Sequence, residues 1–250
     1  MRIFATTLSL IVVFSLVSGH LLAGDEEGAS LREQSSLRNA QRILDSLHEP
    51  SGWSVQPRSA REGVDVFKKD IPGFELPAFR GEKVVAVPSD VLFDMLVDFG
   101  SHAGMSDRVP LAISEVLKKQ GDVVDFFQLV DTPRWTMARD RAWFNRAVIS
   151  RNYAGVQGQH RQTWQTLSPE HYPERWQKAL ESYPRVLHLL FSYGSWEVVP
   201  LGPSSTRLIY RVLTHPGGRI PNGLQEVVTG KTLPDNLLQF EELALQRADH

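Results

Sequence analysis

The sequence contains no cysteine, which removes disulfide staples, thiol nucleophiles, cysteine-ligated zinc and lipid attachment at a cysteine together. Excess charge is also missing. Twenty-seven basic residues against 29 acidic ones leave a net charge of −2, so there is no electrostatic case for nucleic acid as a partner. The eight histidines are scattered, without a His-Glu-x-x-His or comparable ligand spacing, and neither a metal nor another cofactor is expected. Catalytic signatures are thin as well. Ser195 lies in Tyr193-Gly194-Ser195-Trp196-Glu197, which lacks the second glycine of a nucleophile elbow and begins a strand where that elbow needs a helix. Gly155 to Gly158 carries too few glycines for a phosphate loop and sits between strands, as a hairpin would.

With 42% hydrophobic and 22% charged residues, 18 Gly and 15 Pro, what remains is the composition of an ordinary globular chain. The exception is the N-terminus. Met1-Arg2 precedes an apolar run from Ile3 to Leu22, followed by Ala23, Gly24 and the acidic Asp25-Glu26-Glu27. One positive charge, an apolar core and a small-residue exit describe a secretory signal over residues 1–24, cut near Gly19 or Ala23-Gly24. The run is also about as long as a bilayer-spanning helix, so the competing expectation is a retained anchor. Either places the folded domain outside the cytoplasm, in the periplasm or the medium.

Residues 29–48 read as one amphipathic helix, with Leu31, Leu37, Ile43, Leu44 and Leu47 apolar among charges and Pro50-Ser51-Gly52 ending the pattern. Strand-like runs follow over 53–55, 64–69 and 78–87, and Ser89 or Asp90 is placed to cap a short helix over Val91 to Val97. Six further strand candidates cover 111–119, 122–130, 140–150, 156–167, 195–200 and 206–214. The joints at Gln120-Gly121 and Gly202 to Ser205 look like tight reversals, which makes those neighbours antiparallel. Helical sequence interrupts at Glu174 to Leu180, and a long helix runs from Pro221 to Arg247 with Pro234 expected to kink it. Without an internal linker or a repeat, residues 50–247 form one α+β domain. A large antiparallel sheet curling around the long helix would enclose its apolar stripe of Leu224, Val227, Val228, Leu237, Leu238, Phe240 and Leu243, and any unfilled enclosure is a ligand cavity.

Four segments carry a family resemblance. Gly194 to Pro200, then Thr214-His215-Pro216-Gly217-Gly218-Arg219-Ile220-Pro221, then Thr232-Leu233-Pro234-Asp235-Asn236-Leu237 resemble the START lipid-transfer domain in order and spacing, and Arg139-Asp140 resembles its Arg-Asp motif. The resemblance runs from Trp53 to Leu245. It implies a helix-grip fold, a curved antiparallel sheet wrapped around the C-terminal helix with an internal apolar cavity, and a lipid of the sterol or phospholipid class as the partner of a monomeric chain. The insertion around Tyr172 to Val186 departs from the family.

Strand alternation selects the inward residues. Leu208, Tyr210, Val212 and Thr214 share the inward face of the last strand, and the resemblance favours Arg141, Trp143 and Asn145 as inward on the strand from Asp140. Some START domains bury an arginine and a carboxylate for the lipid's polar end; by motif offset, Asn145 stands in that arginine's place. Glu115, among Leu111, Ile113 and Leu117, is the candidate carboxylate, opposed by the reading of a solvated edge. Phe127, like Trp143, Trp164 and Trp196, is a lining candidate with plain core as the alternative, and Val227, Val228 and Lys231 face the cavity from the helix. The loop Asp131 to Met137 corresponds to the family's lid, with Trp135 and Met137 as transient membrane contacts. The alternative to a non-enzymatic carrier is a helix-grip enzyme of polyketide cyclase or aromatase type, with acid and base groups among Tyr210, His160, Glu115 and Arg141.

Overall fold

The computed structural model describes residues 37–57, 59–106, 108–109, 111–132, 139–218 and 222–248, the last stretch without the side chains of 222–229, 231 and 248. The expected signal, residues 29–36 of the expected first helix, and Trp135 and Met137 therefore lie outside the described residues. Helix α1 covers 37–48. Residues 44–250 form a compact unit of their own, and the description below concerns that unit.

Its sheet has ten strands: β1 (Ser54–Val55), β2 (Asp65–Lys69), β3 (Ala78–Val85), β4 (Leu111–Gln120), β5 (Val123–Val130), β6 (Arg141–Ser150), β7 (His160–Leu167), β8 (Leu187–His188), β9 (Phe191–Gly202) and β10 (Ser205–His215). The spatial order is β1-β2-β3-β10-β9-β7-β6-β5-β4, antiparallel at every joint, with the short β8 added parallel to β6. The β4–β5 reversal is the two-residue turn Gly121-Asp122, where Gly121 takes the left-handed φ of 57° that a side chain disfavours. Every expected strand is present, with ends shifted by up to four residues.

Three more helices complete the unit: α2 (Ser89–Val97), α3 (Pro173–Ser182) and α4 (Asn222–Ala248). The helix α4 runs across Pro234, which has no N–H to give the carbonyl of Gly230. It packs on β3, with Leu233 and Leu237 buried there. Gly81 on β3 makes that approach possible, because a Cβ at this position would stand 2.5 Å from Leu233 Cδ2 and 2.8 Å from Leu237 Cδ1. The expected side-chain cap of α2 is absent. Pro88 occupies the N-cap without a side-chain bond, and the Asp90 carboxylate is engaged by His160 Nε2 at 2.7 Å.

Two apolar clusters lie on opposite faces of the sheet. The larger contains Phe93, Phe126, Trp164, Trp196, Leu208, Val212, Leu237 and Phe240 under α2 and α4. The smaller holds Phe127, Leu129, Phe144 and Leu167 beneath Trp176, Ala179 and Leu180 of α3. Helix α3 lies within the stretch 172–186 expected to be an insertion, and it gives β5 and β6 apolar residues on both faces.

Candidate functional site

A cavity of about 1030 Å³ opens between the concave sheet face, α2 and the C-terminal half of α4, at the upper end of the range for small-molecule sites. Alternation along each strand builds its wall. Arg141, Trp143 and Asn145 of β6, the set the resemblance favours, and Tyr210, Val212 and Thr214 of β10, the set alternation selects, line it. From the helical side come Leu96, Phe99, Asn236, Gln239, Phe240 and Leu243. Tyr210 stacks on Trp196 with ring centroids 4.1 Å apart and on Trp164 at 5.8 Å, and Phe240 meets Trp196 edge-on at 5.3 Å. The result is an aromatic wall whose one phenol is held protonated, because burial pushes the Tyr210 pKa far up.

Polar groups interrupt the apolar wall in two ways. Some form a chain: Trp143 Nε1 donates to Gln128 Oε1 at 3.1 Å, Gln128 Nε2 donates to Ser114 Oγ at 2.9 Å, and the Ser114 hydroxyl donates to the Phe99 carbonyl. His102 stands beside it, its Nε2 2.9 Å from the Met95 carbonyl, and burial lowers its pKa so that the ring is neutral at pH 7. Others have no partner among the described residues. Asn145 Oδ1 and Gln162 Oε1 are buried atoms of lining residues without a described hydrogen bond, as is Arg141 Nε. Among the described residues Arg141 otherwise donates to backbone carbonyls, from Nη1 to those of Arg139 and Asp140 and from Nη2 to that of Gly217.

Three expected placements differ. Phe127 does not line the cavity; it is fully buried in the cluster under α3, and its neighbours Phe126 and Gln128 take the inward places. Glu115 stands on the outer face, half-exposed, 2.7 Å from Arg175 Nε. The cause is a β-bulge between Leu111 and Ile113, which leaves Leu111 at the cavity and turns Ile113 and Glu115 to the other side. Leu208 has the expected parity, but it is buried in the core below Tyr210 and does not reach the cavity. The side chains of Val227, Val228 and Lys231 are not among those described. Of the groups considered for catalysis, only Tyr210 and Arg141 line the cavity; His160 is buried against Phe93, with Nε2 on Asp90 and Nδ1 accepting the Asn152 N–H.

Strand order, the helix gripped on β3 and the cavity between them define the architecture. This is the START, or helix-grip, fold. A STAR-related lipid transfer protein from Xanthomonas axonopodis superposes with a TM-score of 0.62 over 78% of this chain and 99% of its own, at 21% identity. Human StAR-related lipid transfer protein 5 gives 0.70 over 88% and 99% at 15% identity, and human STARD10 gives 0.67 over 85% and 80% at 14%. No protein-family model and no curated protein matches the sequence. The START fold is thus shared by geometry at low identity.

Sequence reasoning passed over Gln128, Gln162 and Phe126, although Gln162 shares the parity of Trp164 on β7 and was legible in that sense. His102, Leu187 and Leu189 carried no strand signal, and only the fold brings them to the cavity.

Proposed function

We propose that the protein is a non-enzymatic lipid carrier that holds one lipid of the sterol or phospholipid class in the START-fold cavity, outside the cytoplasm. The observation that carries this reading is the cavity itself. Its volume of about 1030 Å³ and its wall of Trp143, Trp164, Trp196, Tyr210, Phe240 and Leu243 suit a long apolar body. A START fold shared with proteins named as lipid-transfer proteins supports it. The separation of Glu115 and His160 from Tyr210 and Arg141 favours holding a ligand over transforming it, since acid and base must reach the same reacting atoms. The N-terminal signal pattern supports export, and the sequence of the 131–137 loop supports a lid that meets a bilayer through Trp135 and Met137.

Displacement of a fluorescent phospholipid or sterol analogue tests the reading. Val212 and Leu243 line the cavity from opposite sides, so Val212→Trp and Leu243→Trp should each weaken binding of the analogue at least tenfold while circular dichroism keeps the wild-type signature. Undetectable binding of both analogues by the wild type contradicts the carrier reading.

A further inference from the structure

Among the described residues, the cavity wall contains two guanidinium groups, Arg139 and Arg141, and no carboxylate. Both lie at the start of β6 beside Thr132, Pro216 and Gly218, so the positive charge is gathered at one end. The Asp140 carboxylate acts on Arg141 through space, against the like charge of Arg139 and the cost of burial, but no described carboxylate touches it. Arg141 makes no ion pair among the described residues, its Nε has no partner there, and its Nη atoms reach only main-chain carbonyls. The nearest carboxylate in sequence, Asp140, accepts the Thr132 N–H at 3.0 Å. Arg139 Nε is engaged by the carbonyl of Arg185 at 2.8 Å. The rest of the described wall is neutral, with the protonated Tyr210, the uncharged His102, and the carbonyl oxygens of Asn145 and Gln162 without donors among the described residues.

A partly buried cation without a counter-ion is unfavourable, and a guanidinium meets the oxygens of a carboxylate or phosphate through paired N–H bonds. A cationic head would find no anion in this wall. We propose that the cavity selects an anionic amphiphile, whose carboxylate or phosphate lies against Arg141 at the start of β6 and whose apolar body extends along the Trp164, Tyr210 and Phe240 wall. This rests on the lipid-binding reading above and narrows it. Donors such as ligand hydroxyls, where present, fall to Asn145 and Gln162.

The test compares ligands that differ only in charge. cis-Parinaric acid and its methyl ester share one fluorescent chain, and the acid should bind about tenfold more tightly or better, as a charged hydrogen-bonded pair requires. Arg141→Gln should remove that preference, costing the acid about tenfold more than it costs the ester, and Arg141→Lys should keep the acid favoured. Competition by phosphatidic acid against diacylglycerol of the same chains separates the phosphate source from the carboxylate: displacement by phosphatidic acid but not by diacylglycerol supports a phospholipid, and displacement by neither, with the acid still preferred, supports a fatty acid. Equal binding of acid and ester, or an equal loss of both in Arg141→Gln, overturns the selection for an anion while leaving the carrier reading intact. Binding of none of the four by the wild type overturns both.

Discussion

At the end of α1, His48 places Nε2 3.0 Å from the Ser195 hydroxyl on the outer face of the sheet. Burial is the largest cause that takes its pKa from 6.5 down to about 4, and the guanidiniums of Arg161 and Arg211 push the same way, against Glu197, which pairs with both. A ring held neutral in the folded chain gives protons a preference for the unfolded one. The resulting stability is complete above pH 6.5 and is lost as pH falls from 6.5 toward 4. A fall from 6.5 to about 4 corresponds to about 3 kcal/mol, or roughly 6–12 °C in Tm for a chain of this size. Burial depresses His102 and His188 too, and they weaken the fold in the same direction. The diagnostic quantity is therefore a difference between proteins. Thermal melts by circular dichroism at pH 7.5 and 4.5 should show a Tm drop several degrees larger in the wild type than in His48→Gln, whose side chain does not titrate. Parallel pH profiles would refute the reasoning, because His48 would then not be held neutral beside the two arginines.

The close grip of α4 on β3 should make Gly81 intolerant of a side chain: Gly81→Ala drives a Cβ into Leu233 and Leu237, and we expect a loss of about 1–3 kcal/mol in urea unfolding. An unchanged midpoint would mean that the helix does not sit so near the sheet. If the 131–137 loop is a lid, Trp135→Ser with Met137→Ser should slow lipid transfer between liposomes severalfold while affinity for a soluble lipid analogue stays within twofold. Equal loss of both, or of neither, counts against a membrane-touching lid.

Much of the architecture was legible in the sequence because most strands bury one face only. On β10, Leu208, Tyr210 and Val212 alternate with Arg207, Ile209 and Arg211, and period two alone assigns the inward set. On β5 the same reasoning fails. Val124, Phe126 and Phe127 are all buried, since α3 covers the outer face that would otherwise be polar, and parity can no longer separate cavity from core. Glu115 was misplaced for a different reason. A single extra residue at the bulge reverses the faces that follow it, here as far as the second register shift between Val116 and Lys118, and the run Leu111-Ala112-Ile113 shows no glycine or other mark of one. The partnerless carbonyls of Asn145 and Gln162 were beyond reach, because whether a buried amide finds a donor depends on neighbours from β5, β7 and β9.

The central claim is that the cavity holds one lipid. Native mass spectrometry of the protein purified without detergent, after incubation with a total lipid extract, measures this directly. The account predicts one adduct of lipid mass per chain in the wild type and its loss in Val212→Trp and Leu243→Trp. Wild-type protein that stays at its ligand-free mass, or variants that retain the adduct in full, would contradict it.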